Sequence, residues 1–341
     1  MFRSSILIAM LWIASGAGQQ EDSAPPPSLH GATGWLNSAP LTLAELKGKV
    51  VLVEFWTFTC INWRRTLPYT REWAKKYKDQ GLVVIGVHTP EFGFEYKQDN
   101  VERAIKEMNI GYPVALDNNM GIWNSFNNNY WPAIYLIDSK GRIQYQKFGE
   151  GDYAEVERQI QKWLRKTSAE NVPADISIVE GEGFEAPPDW LQMNSPENFL
   201  GYSRTQGFNS PEGILQDQQV TYSFPKKLEL NQWAVSGTWI MGEEFVRLTK
   251  EQGRLRYRFQ ARDLHLVMGP AVPGSTVKFR VLIDGKPPAA AHGLDINSDG
   301  YGVCNEPRMY QLIRQQGAIT EHEFEIEFST TGADVYDFTF G

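Results

Sequence analysis

Two hydrophobic rhythms follow one another along this chain, and the change between them near residue 199 divides it. Residues 50–56, Val-Val-Leu-Val-Glu-Phe-Trp, are apolar at every position but Glu54, the pattern of a strand covered on both faces. Leu67, Trp73 and Tyr77 then recur at helix-like spacing. Read onward, the pattern predicts strand 50–56, helix 61–79, strand 82–88, helix 99–108, strand 112–116, helix 120–127, strands 133–138 and 142–148, and helix 152–166. Asp138-Ser139-Lys140-Gly141 is the turn between the last two strands. Such alternation specifies an α/β sandwich. Beyond Phe199 the period becomes two: residues 254–261, 277–281 and 323–328 alternate strictly, with turn signals at Pro273-Gly274 and Asp284-Gly285. That half reads as an all-β sandwich. The predicted organisation is a leader over 1–18, a tether and N-terminal hairpin over 19–40, an α/β domain over 41–168, a Pro- and Gly-containing linker over 169–198 that packs along the first domain, and a β-sandwich over 199–341.

The candidate chemistry lies where the first buried strand gives way to a helix. Cys60 stands at that junction, where unpaired amide N–H groups and the positive end of the helix dipole favour a thiolate, so the expectation is a lowered thiol pKa. A buried, inert cysteine is the alternative. The run Cys60-Ile61-Asn62-Trp63 has the form of a Cys-X-X-Cys redox site whose second cysteine is tryptophan.

Around Cys60 stand Phe55-Trp56-Thr57, residues 86–91 (Gly-Val-His-Thr-Pro-Glu), residues 115–119 (Ala-Leu-Asp-Asn-Asn), Tyr130-Trp131-Pro132-Ala133, and residues 147–153 (Lys-Phe-Gly-Glu-Gly-Asp-Tyr). With these, the first half resembles the thioredoxin-like domain of the TlpA/ResA class, and most closely the periplasmic domain of the DipZ family. The second half resembles that family's carbohydrate-binding-module-like, jelly-roll-like domain, through Asn231-Gln232-Trp233-Ala234, Gly237-Thr238-Trp239, residues 261–267 and residues 310–315. The resemblance implies that Pro132 is a cis-proline facing Cys60, shaping a groove for a partner's extended chain, and that Glu54 is the acid beneath the site. Trp56, Thr57, Asn62, Trp63 and Trp131 would surround it. The departure is Trp63, where the family carries its resolving cysteine. A mixed disulfide at Cys60 must then wait for an outside thiol. Three readings follow: a monothiol redox or thiol-capture protein, a one-cysteine peroxidase, or a binding and scaffold domain without chemistry. Thr57, three residues before Cys60, is arranged as in peroxiredoxins, but Val53 stands where their proline is expected.

Targeting and composition add context. Arg3, the apolar run 6–14 and Ser15-Gly16-Ala17 have the form of a cleaved signal peptide, implying a periplasmic or secreted protein whose partner is a thiol or disulfide protein of the cell envelope. The run is shorter than the roughly 20 residues a membrane span requires, and no later stretch could span a membrane. A net charge of −8 without a basic stripe argues against nucleic acid. Cys60 and Cys304 are the two cysteines, and their pairing across domains would need Cα atoms within about 7 Å. Trp190, Trp233 and Trp239 are candidates for a glycan-stacking platform, against the alternative of core aromatics. No cofactor is required by the motifs. Asp295, Asn297, Asp299 and Glu306 have the spacing of a calcium loop, although Gly302 stands at its aliphatic position and the flanks read as strands; an ordinary Asp/Asn/Gly turn is the alternative. No two of the five histidines have His-X-X-X-His spacing.

Overall fold

The computed structural model describes residues 27–167 and 170–341, so the leader expected over 1–18 lies outside the described residues. In the first domain β1 (Gly34–Leu36), β2 (Val50–Trp56), α1 (Ile61–Lys76), β3 (Leu82–His88), α2 (Gln98–Glu107), β4 (Val114–Leu116), α3 (Gly121–Ser125), β5 (Ala133–Ile137), β6 (Ile143–Phe148) and α4 (Tyr153–Lys166) follow in order. Their sheet runs β1-β4-β3-β2-β5-β6, with β2, β3 and β4 mutually parallel and β5 and β6 antiparallel. Strand alternation divides β2 between two cores. Val51, Val53 and Phe55 pack with Ile122 and Trp123 of α3. Val50, Leu52 and Trp56 pack with Leu67 and Trp73 of α1 and Ile160 of α4. Glu54 belongs to the second set by its register, and this places a carboxyl beneath α1.

Two expectations are corrected here. Residues 29–40 form no hairpin: their one strand, β1, pairs with β4, whose edge 80 residues away in sequence would otherwise be open. Helix α1 stops at Lys76, because the chain turns back through Gly81 (φ +92°) and Leu82 N–H donates to Tyr77 O at 3.1 Å.

The second domain comprises β7 (Asn198–Phe199), β8 (Gln219–Tyr222), β9 (Trp233–Met241), β10 (Val246–Leu248), β11 (Arg254–Phe259), β12 (Asp263–Pro270), β13 (Val277–Ile283), β14 (Tyr301–Cys304), β15 (Arg308–Arg314), β16 (His322–Phe328) and β17 (Ala333–Phe340). One strand joins its two layers. The first half of β9 pairs with β11 and the second half with β10, and the bend lies at Gly237, where φ is +96° and a Cβ would stand 3.0 Å from the Gly253 backbone. The layers close over a common core in which Tyr257 meets Phe338 at 4.8 Å and Phe279 meets Tyr310 at 6.5 Å between ring centroids. Trp233 and Trp239 are fully buried in that core, so of the two sequence readings the core-aromatic one holds and the glycan-stacking platform does not form. Alternation along β9 turns both indoles inward, leaving only Trp190 exposed.

The two domains share a hydrophobic seam. Val267, Met309 and Tyr336 of the second domain belong to the core built around α1. The buried Arg65 of α1 bridges Glu150 at 2.9 Å and donates to Phe340 O at 2.8 Å. The connecting segment lies along this seam, with Glu185 on Arg71 (2.6 Å), Asp175 on Lys76 (3.0 Å) and the Phe184 ring beside both Arg64 and His265.

Candidate active site

Strand β2 delivers Trp56 into a turn, and Cys60 ends that turn as the residue capping α1 (φ −73°, ψ 114°). Its N–H donates to Thr57 O at 3.2 Å, and its carbonyl accepts the first helical bond, from Arg64 N–H at 3.0 Å. The thiol lies 3.9 Å from the carbonyl oxygen of Trp131, and the Trp131-Pro132 peptide is cis. Trp131 is held in turn by its indole N–H, which donates to Thr89 O at 3.1 Å. Cys60, Trp131 and Pro132, separated by 71 residues and more, therefore meet as the motifs imply.

The charge state of the thiol is opposite to expectation. Cys60 is 8% exposed, and burial pushes its pKa well above the ordinary thiol value, with Glu197 the next contributor and Glu91 adding to it. The N–H groups of Trp63 and Asn62 do favour the thiolate. They are outweighed: a helix terminus is worth about 0.3–1 kcal/mol in ordinary settings, whereas full burial can shift a group by 3–5 pK units. Cys60 belongs to the core that also holds Val267, Met309 and Tyr336 of the second domain, a docking that local sequence does not reveal.

Trp63 fills the place of a second thiol. Its indole is fully buried and stacks on Trp56, with centroids 4.3 Å apart and planes 24° from parallel. The His88 ring stands nearly perpendicular to Trp56, with centroids 4.8 Å apart. The stack requires Gly86 in β3, since a Cβ there would come within 2.7 Å of the Trp56 indole nitrogen. Burial holds His88 down at about 3, so it is neutral, and it stacks on Phe58.

Glu54 is fully buried beneath this stack and accepts from Thr70 Oγ1 at 2.8 Å and, more weakly, from Tyr112 OH at 3.5 Å. Burial raises its pKa to about 7 against the opposing effects of Thr70, Trp63 and Tyr112. The Trp63 indole N–H is close enough to favour the Glu54 charge without making a hydrogen bond of normal geometry. Thr57 is buried with no hydrogen bond to its hydroxyl, whereas Thr59 donates to Glu95 at 2.6 Å. Glu95 is likewise raised by burial to about 7. Two clefts at the domain junction, about 280 and 640 Å³, are lined by Phe58, Arg64 and Met309 and by Phe94, Pro270 and Tyr336; Cys60 lines neither.

Comparison with known proteins finds relatives for both halves of the chain. Residues 22–146 match the AhpC/TSA family, and residues 195–341 match the family described as thioredoxin like C-terminal domain. The chain joins a thioredoxin-like domain to that C-terminal domain. Protein DipZ of Mycobacterium bovis is 32% identical over 334 residues, covering 96% of this chain and 44% of DipZ, so the chain spans less than half of that relative's length. Thiol-disulfide oxidoreductase YkuV of Bacillus subtilis is 29% identical over 144 residues, 42% of this chain and 96% of YkuV. A solved structure of a putative thiol:disulfide interchange protein DsbE from Chlorobium tepidum covers 36% of this chain and 86% of its own at 25% identity, with a TM-score of 0.34.

The other sequence candidates lie apart from Cys60. Cys304, buried in β14, is unpaired, and its thiol lies 3.9 Å from Glu306 O. In this thioredoxin-like chain the side-chain oxygens of three of the four candidate calcium ligands are engaged otherwise. Asp295 binds Arg308 at 2.7 Å and the Gln311 N–H at 2.7 Å, Asn297 accepts the N–H groups of Asp299 and Tyr301, and Glu306 bridges to Arg103 at 2.9 Å. Among the described residues no three His, Cys, Asp or Glu side chains are gathered in a metal-holding group. A ligand specific for the folded state raises its stability by mass action. With these ion pairs in place, the melting temperature should be the same in millimolar calcium and in chelator, as checked by calorimetry.

Sequence reasoning passed over Glu91, Glu197, Arg204 and Asp337. Glu91 stood inside a recognised stretch, and its neighbour Arg204, from the second domain, binds it at 2.8 Å. Nothing in local spacing marks the other three.

Proposed function

We propose that this chain is an extracytoplasmic thioredoxin-like thiol protein that acts through Cys60 alone. In the reaction the Cys60 thiolate attacks one sulfur of a partner disulfide. The partner's S–S bond breaks, its leaving thiolate takes up a proton, and a mixed disulfide forms. An external thiol then attacks that bond and releases Cys60. The observation that carries this reading is Trp63, buried in its stack where an intramolecular resolving thiol would have to stand, while Cys304 lies in the second domain. The names of the thiol-disulfide oxidoreductases YkuV and ResA support the reaction class. The form of residues 1–18 supports export, and no helix among the described residues is long and apolar enough to cross a membrane.

Glu54 would hold or release a proton beneath the site, and Pro132 would shape the surface met by the partner's chain. The burial of Cys60 favours a second reading, in which the protein binds an envelope partner without chemistry. The one-cysteine peroxidase is less favoured, because a thiol raised by burial is a poor peroxide nucleophile. Insulin reduction separates these readings. Wild type and Cys304→Ser should show slow or no turnover with dithiothreitol and should form adducts with small disulfides at Cys60, whereas Cys60→Ser should show no turnover and no such adduct. Rapid turnover by Cys304→Ser would overturn the monothiol mechanism, and a Cys60 inert to every disulfide would leave the binding reading.

A further inference from the structure

The cleft of about 280 Å³ at the domain junction holds a guanidinium without a counter-ion. Arg64 stands in the first turn of α1 and lines this cleft with Phe58 and Met108 of the first domain, Phe184 of the connecting segment and Met309 of the second domain. The side chain is half-buried, and its Nε is fully buried with no hydrogen-bond partner among the described residues. The guanidinium lies instead over the Phe184 ring, with its central carbon 5.2 Å from the ring centre.

The acids nearby are engaged by other arginines. Asp295 pairs with Arg308 at 2.7 Å, Glu306 with Arg103 at 2.9 Å and more loosely with Arg308 at 3.6 Å, and Glu185 with Arg71 at 2.6 Å. Glu107, exposed at the rim, stands 4.0 Å from Arg103. Of the three arginines that line the cleft, Arg64 is thus the one without a bonded acid among the described residues. Burial lowers its pKa to about 10, and the attraction of Glu185 and Glu107 does not offset that burial together with the repulsion of Arg71 and Arg308. Withdrawing a cation from water without pairing it is costly, and an apolar side chain would fill the same space at less cost.

We propose that this cleft is a binding site for a small organic carboxylate, an acid group on an aromatic or short aliphatic body, held through Arg64. The fork of guanidinium donors matches the two oxygens of a carboxylate. The walls formed by Phe58, Met108, Phe184 and Met309 suit an apolar body, and the volume lies just under the roughly 300–1,000 Å³ of pockets for drug-sized ligands, so that body is small. One unpaired guanidinium matches one negative charge, whereas a dianion such as phosphate would bring a second charge toward Glu107, Asp295 and Glu306. Because α1 and β15 both line the cleft, a bound acid would join the two domains and stabilise their docked arrangement. Cys60 lines no part of this cleft, and the inference does not depend on its chemistry.

The test is isothermal titration calorimetry of the full-length protein and its Arg64→Met and Arg64→Lys variants with benzoate, with its uncharged isostere benzamide and with inorganic phosphate. Benzoate should bind the parent saturably and raise its melting temperature, and benzamide and phosphate should do neither. Arg64→Met should weaken benzoate roughly ten- to hundredfold, and Arg64→Lys, which keeps the charge and loses the fork, by an intermediate factor. Without ligand, Arg64→Met should melt no lower than the parent, because the guanidinium it removes has no bonded partner to lose. Benzoate binding that survives Arg64→Met, benzamide or phosphate bound as tightly as benzoate, or no saturable binding of benzoate to the parent would each overturn the proposal. So would a ligand-free Arg64→Met protein that melts several degrees lower, since Arg64 would then serve the fold rather than a ligand.

Discussion

Trp63→Cys should give the protein a disulfide it lacks, between residues 60 and 63, while costing about 3–5 kcal/mol of stability in the reduced form. The cost follows from removing a fully buried indole that stacks on Trp56, since large-to-small changes of buried aromatics leave a cavity that the surroundings fill only partly. The new bond follows from geometry: Cys60 caps α1 and residue 63 lies in its first turn, and residues three apart on a helix have Cβ atoms about 5–6 Å apart, within reach of a disulfide after a small adjustment. Intact mass should fall by two hydrogens on oxidation, denaturant unfolding should show the loss on reduction, and insulin turnover should appear. A variant that folds, presents both thiols to alkylation and forms no internal bond would show that Trp63 does not occupy the resolving position.

Glu54→Gln should change the pH dependence of stability more than its value at any single pH. The folded protein holds the Glu54 proton up to about pH 7, while an unfolded chain releases it near pH 4.5. The native state therefore binds more protons across that window. The group's contribution to stability is complete below pH 4.5 and is lost as pH rises through 7. Glutamine, always neutral, does not lose it. Relative to wild type the variant should gain roughly 3 kcal/mol between the two ends of the window. His88, held neutral down to about 3, makes the fold lose stability toward acid, but it does so in both proteins and cancels in the difference. Urea unfolding of the two proteins across this range measures the gap, and parallel profiles would show that Glu54 is ionised in the folded state.

Much of the site was legible because its signals are local. The buried-strand run ending at Trp56 and the helix beginning after Cys60 each follow from a short pattern, and the resemblance to the DipZ family supplied the meeting of Cys60 with a cis-proline at Trp131-Pro132. The resemblance also supplied Glu54 as the acid beneath the site, and the register of its buried strand accounts for that placement. The missed features depend on distant docking. The ionisation of Cys60 was misread because the helix terminus is visible in sequence, whereas the cover formed with the second domain is not. The N-terminal hairpin failed for a similar reason, since the open edge of β4 captured Gly34–Leu36. The tryptophan platform gave way to the core-aromatic alternative that the sequence also offered, because β9 bends at Gly237 and keeps residues 233, 235, 239 and 241 facing one core.

The most direct measurement of single-cysteine action is a trapping experiment on native Cys304→Ser protein with an aromatic disulfide that releases a coloured thiolate. At alkaline pH, where the Cys60 thiolate is accessible by titration, one equivalent of colour should be released, and intact mass should show one adduct on Cys60 that persists until an external thiol is added. Release of a second equivalent without added thiol, or a native protein in which Cys60 takes no adduct at any pH that preserves the fold, would contradict a Cys60 that reacts alone and cannot resolve itself.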